Sequence, residues 1–155
     1  TRGRGQVLPL LDFLSRVRPA GGTSLNEGLA AWRLRTREAG LAVLISDLMD
    51  PGGYERGLRG LLERRHDVHV IHLLAAEEMN PGWGGDLRLE DAETGETRDL
   101  TLDADALRVY RQRLREFLER AEAFCRANEI GYHRVVTDTP VEEFMLRQLK
   151  GFLVG

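Results

Sequence analysis

Leu41-Ala42-Val43-Leu44-Ile45-Ser46-Asp47 is an apolar run without alternation that ends in a hydroxyl and a carboxylate. A strand with one solvated face alternates apolar and polar residues. A continuous run instead predicts a strand covered on both faces, as in a parallel sheet flanked by helices. Val68-His69-Val70-Ile71-His72-Leu73-Leu74 has the same character, and Gly131-Tyr132-His133-Arg134-Val135-Val136 supplies a third strand.

Helical patterns lie between and around these strands. Val7, Leu10, Leu11 and Leu14 predict an amphipathic helix from about Gly5 to Arg18, stopped by Pro19. Thr23 or Ser24 is expected to cap a second helix, with Glu27 three residues after Ser24 as a capping box. Leu25, Leu29 and Trp32 would line its buried face, and Gly40 would close it. Leu58, Leu61 and Leu62 mark a third helix. Leu107, Tyr110, Leu114, Phe117, Ala121 and Phe124 step at helical spacing through a long helix from about Asp105 to Asn128. Thr139-Pro140 opens a closing helix carrying Phe144, Leu146, Leu149 and Phe152. Residues 86–101 alternate around Glu93-Thr94-Gly95 and predict an inserted β-hairpin.

Strands alternating with helices predict an α/β layer fold with right-handed crossovers. Three main strands make a thin sheet, so Leu41 to Ile45 is expected to be an apolar edge that needs a cover. The expected cover is upstream sequence or another chain, and self-association through this edge is expected of the isolated chain. The sequence opens on Thr1 within a polar stretch. Residues 1–155 therefore read as one domain lacking its first strands.

Composition narrows the function classes. Lys plus Arg is 22 and Asp plus Glu is 25, a net charge of −3 that offers no basic footprint for nucleic acid. No apolar run approaches the ~18 residues of a membrane span. Cys125 is the only cysteine, so no internal disulfide forms, and the chain is expected in the cytoplasm.

Functional residues of doubly wound sheets sit at the carboxyl ends of the strands. That rule selects Ser46, Asp47 and Asp50 after the first strand, Glu77 and Glu78 after the second, and Thr137 and Asp138 after the third. Carboxylates and hydroxyls are the ligands Mg²⁺ prefers. Thr23, at the start of a helix, would lie on the same sheet edge as Asp47. His66, His69 and His72 suggest a metal cluster by composition, but His69 and His72 alternate across a strand and cannot converge. Arg108, Arg111, Arg113, Arg115 and Arg120 interleave with Glu116, Glu119 and Glu122, which predicts a solvated, salt-bridged helix face. Neither a phosphate-binding P-loop nor a nucleophile elbow is present.

Gly21-Gly22-Thr23-Ser24-Leu25, followed by Val43-Leu44-Ile45-Ser46-Asp47, resembles the second half of a von Willebrand factor A domain. The whole chain resembles the C-terminal part of a bacterial family of uncharacterised proteins, domain of unknown function fifty-eight. Leu62 to Val68, Glu77-Glu78 with Pro81, Leu89 to Gly95, and Thr137-Asp138-Thr139-Pro140 support that likeness.

The resemblance implies a Rossmann-like, three-layer fold with a partial parallel sheet. It also implies a metal-ion-dependent adhesion site to which Thr23 and Asp47 contribute, with Mg²⁺ as the ion. The family's Asp-x-Ser-x-Ser loop does not occur in this sequence. Ser24, Ser46 and Asp50 would border the partner surface. The resemblance further implies a non-enzymatic protein–protein interaction domain working with a MoxR-type AAA+ ATPase in assembling or maturing other proteins. The alternative is a Mg²⁺-dependent phosphoryl hydrolase using Asp47, Asp50 and Glu77.

Overall fold

The computed structural model describes residues 7–18, 22–36, 38–82, 84–91 and 95–147. The elements in chain order are α1 (Val7–Arg16), α2 (Leu25–Arg35), β1 (Leu41–Ser46), α3 (Glu55–Glu63), β2 (Asp67–Leu74) and α4 (Ala76–Met79). They continue with β3 (Gly85–Glu90), β4 (Thr97–Leu102), α5 (Ala104–Ala127), β5 (Gly131–Val136) and α6 (Val141–Arg147). This is the predicted alternation, with the short α4 added.

Strands β1, β2 and β5 form a parallel sheet in that order. Ser46 stands beside His72, and His72 beside Arg134, so the carboxyl ends of all three strands share one rim. The fold is a Rossmann-like α/β arrangement. Strand β2 is central, and its even-numbered residues Val68, Val70, His72 and Leu74 are almost completely buried. Val68 and Val70 pack with Leu58 and Leu61 of α3 and Ala121 and Cys125 of α5, with Ala42 of β1 joining the same cluster. On the opposite face Ile71 and Val135 meet Phe144 of α6 in a second, smaller cluster.

Helices α2 and α3 approach closely because Gly57 carries no side chain. A Cβ there would lie 2.7 Å from Leu29 Cδ1.

Several expectations are corrected. Strand β1 is covered on one face only: Leu41, Val43 and Ile45, on the face opposite buried Ala42, are 53%, 41% and 60% exposed. Trp32 is exposed, and the buried residue of α2 is the polar Asn26. The capping box is absent: Ser24 has N-cap geometry but its side chain makes no cap hydrogen bond. Helix α2 ends at Arg35, before Gly40.

Helix α1 ends at Arg16, before the predicted end at Arg18, and its apolar side chains Leu8, Leu10, Leu11, Phe13 and Leu14 are exposed. Residues 1–6, and with them the predicted start at Gly5, lie outside the described residues, as do Leu149 and Phe152 of the closing helix. Leu146 of α6 is exposed. Among the described residues the ion pairs on α5 are Arg108–Asp105 and Arg126–Glu122, fewer than the interleaved charges suggested.

The β3–β4 hairpin is antiparallel and solvent-facing, with Arg88 opposite Asp99 and Asp86 opposite Thr101. No helix among the described residues is long and apolar enough to cross a membrane.

Candidate functional site at the carboxyl rim of the sheet

The chain leaving β1 is held by a series of short side-chain-to-backbone bonds. Ser46 Oγ accepts from Leu48 N at 3.0 Å, and Asp47 Oδ1 accepts from Met49 N at 3.0 Å. Asp50 Oδ1 accepts from Gly52 N at 2.7 Å. Each reaches the amide two residues on, the habit of Ser and Asp side chains in turns. Leu48 sits among them at φ +60°, the left-handed region that costs a side-chain-bearing residue energy, yet it is only 2% exposed. Its buried side chain and the flanking bonds together hold the backbone there.

Two contacts join this loop to α2. Asp50 Oδ2 accepts from Leu25 N at 2.5 Å, so the helix is capped from 25 residues away in place of its own Ser24. A carboxylate at a helix N-terminus also meets the positive end of the dipole. Asn26 Nδ2 donates to the Gly52 carbonyl at 2.6 Å and its Oδ1 accepts from Gly57 N at 2.8 Å. These clasps bring the start of α2, with exposed Thr23 and Ser24, to the loop carrying Asp47. Asp50 is half-buried with both oxygens accepting amide hydrogens, whereas Asp47 is exposed.

Beneath the loop lies His72, fully buried in β2. Its Nε2 is 2.8 Å from the Asp47 carbonyl oxygen, which only accepts, so Nε2 carries the proton. Nδ1 then accepts from the Tyr132 hydroxyl at 2.7 Å. Burial pushes the His72 pKa down and so favours the neutral ring, partly offset by its bond to the Asp47 carbonyl.

The remaining sequence candidates go elsewhere. Exposed Glu77 and Asp138 line a separate depression with Asn80 and Thr139. Glu78 Oε2 accepts from Ala75 N at 2.7 Å, and its carbonyl accepts from the Tyr110 hydroxyl. Thr137 is exposed, its amide donating to the Leu74 carbonyl. His66 is buried at 5.1 Å from the Trp32 ring. His69 lies on the face opposite His72, its ring stacked on His133 at 5.7 Å with Nδ1 3.4 Å from His133 Nε2. Buried Cys125 has its thiol pushed up to about 11 by desolvation.

Among the described residues no group of three His, Cys, Asp or Glu side chains is placed to hold a metal ion. Thr23 and Asp47 alone do not make up the near-octahedral oxygen set that Mg²⁺ requires, so among the described residues these two do not fit a complete site. The sequence reading missed Asn26, Leu48 and the His72–Tyr132 pair. Asn26 looked like one more polar residue in the first turn of a helix, and nothing local signals a positive φ at a leucine.

The family described as "Protein of unknown function DUF58" matches residues 1–120. An uncharacterised protein of Mycobacterium avium is 40% identical over 80 residues, 52% of this chain and 47% of that protein. An uncharacterised protein of Mycobacterium tuberculosis is 36% identical over 86 residues, 55% of this chain and 27% of that protein. The matched stretch thus spans less than half the length of either relative. No solved structure matches the chain significantly.

Proposed function

Since the chain belongs to the DUF58 family, whose function is unknown, we propose from its geometry that it is a protein-binding module. In this reading the carboxyl rim around Thr23, Ser24, Ser46, Asp47 and Asp50 receives the partner. The observation that carries it is the difference between the two loop aspartates. Asp50 is consumed in capping α2, and Asp47 is left exposed on a loop whose backbone is already fixed. A carboxylate held in place before binding loses little conformational entropy when a partner arrives.

The sequence resemblance extends the proposal: a von Willebrand factor A-type fold, a MoxR-type AAA+ ATPase as partner, and a cytoplasmic setting. Mg²⁺ would bind here only with ligands added to Thr23 and Asp47. The hydrolase alternative is less supported, since the depression lined by Glu77 does not include Asp47, and Asp50 carries two amide hydrogen bonds.

The test is binding of a MoxR-type ATPase from the same genome to the intact protein, by calorimetry. Asp47→Ala is expected to weaken binding about tenfold or more, the loss of one charge-assisted contact. Unchanged affinity removes the rim from the reading. Mg²⁺-dependent phosphoester turnover that disappears in Asp47→Ala establishes the hydrolase instead.

A further inference from the structure

A histidine in the central strand of a parallel sheet occupies a place where an aliphatic side chain would serve packing better, because its two polar atoms must both be satisfied away from water. His72 satisfies them in a directed way. Nε2–H reaches out of its own strand to the Asp47 carbonyl, and Nδ1 takes the hydroxyl hydrogen of Tyr132 from β5. The ring is held edge-on between Phe117 of α5 and Tyr132, at 5.6 and 5.8 Å. Its bond falls on the peptide that joins Asp47 to Leu48, immediately before the residue at φ +60°. A peptide preceding a strained residue is the one that flips when the strain relaxes, and a donor fixed on its carbonyl opposes that flip.

We propose that His72 is the positioning residue of the Asp47 loop. With Tyr132 setting its ring, it pins the Asp47–Leu48 peptide, so that the Asp47 carboxylate projects from the rim in one orientation. Bond directions single out this contact. The Ser46 and Asp47 side-chain bonds lie within the loop and can travel with it, and the ties to α2, through Asp50 Oδ2 and the Gly52 carbonyl, hold only its far end. The His72 bond instead ties it to the middle of the sheet. The inference rests on the reading of Asp47 as the partner-facing carboxylate.

The test compares His72→Leu, which fills the space without a donor, with His72→Gln, whose amide can still donate to the Asp47 carbonyl. The first readout is hydrogen exchange of the Leu48 and Met49 amides in the intact protein, relative to the Val70 amide in the core. His72→Leu is expected to speed the loop amides about tenfold over the core reference, the worth of one buried hydrogen bond. His72→Gln is expected to restore most of the protection.

Equal behaviour of the two variants, or a change spread evenly over loop and core, overturns the proposal. If His72→Leu does not fold, Tyr132→Phe takes its place. It removes only the hydroxyl, and unchanged loop exchange in it overturns the proposal. The second readout is affinity for the ATPase. Unchanged affinity in Asp47→Ala refutes the binding reading and leaves the positioning role to be decided by exchange. Affinity lost in Asp47→Ala but kept in His72→Leu refutes the positioning role.

Discussion

The two faces of the β1–β2–β5 sheet carry similar residues and have different fates. On one face Ala42, Val68 and Val70 are sealed beneath α3 and α5. On the other, Ile71 and Val135 are covered by Phe144, while Leu41, Val43 and Ile45 stay in contact with solvent. Apolar character alone therefore says that a strand suits a covered position, and the cover comes from other parts of the fold. The sealed face supplies the stability and anchors the Asp47 loop through Leu48 and His72. The uncovered part is an open edge with an apolar surface beside it, the feature natural sheets usually blunt with charge or proline.

Deletion of side chains separates the two faces most. Leu58→Ala on the sealed face is expected to cost about 2–5 kcal/mol, and Ile45→Ala on the open face within about 0.5 kcal/mol. Urea denaturation of both variants checks this, and equal losses would mean the open face is covered in solution.

A smaller effect should appear with pH. His72 and His133 both have pKa values pushed down by burial, His133 also by neighbouring His69. The unfolded chain then binds more protons than the folded one below the ordinary histidine value of about 6.5. The stabilisation is therefore present above that pH and fades as pH falls through it. Denaturation midpoints measured from pH 8 down should show this fall, and His72→Leu should flatten it more than His133→Leu. The reverse order would place the deeper desolvation on the open face.

The smallest effect on stability belongs to the edge. Copies of the isolated chain should associate at high concentration through β1, and Val43→Lys should return them to monomers without shifting the denaturation midpoint. A wild-type chain that is monomeric by light scattering at every concentration would show the edge to be protected.

Much of the fold was legible because it rests on local periodicity. The unbroken run at Leu41 to Ile45, its counterpart at Val68 to Leu74 and the stepped stripe of α5 each announce their element. What the periodicity could not carry was contact between distant positions. Asp50 capping α2, Asn26 clasping the α3 loop and Tyr132 meeting His72 join residues 25 or more apart in sequence. The candidate rim was legible in outline, since strand ends locate it, but not the separation of Glu77 from Asp47. Glu77, on α4, instead lines a depression with Asp138 and Thr139, which follow β5.

Leu48 answers to two requirements that no single amino acid meets fully. Its backbone favours glycine, while its buried side chain favours an aliphatic residue. Leu48→Gly would relieve strain on the order of 1 kcal/mol and open a cavity costing several times that. A β-branched replacement would fill the space and worsen the strain. Sequence drift through this position is therefore narrow in every direction. The loop's shape is guarded by a residue with no role in contacting a partner.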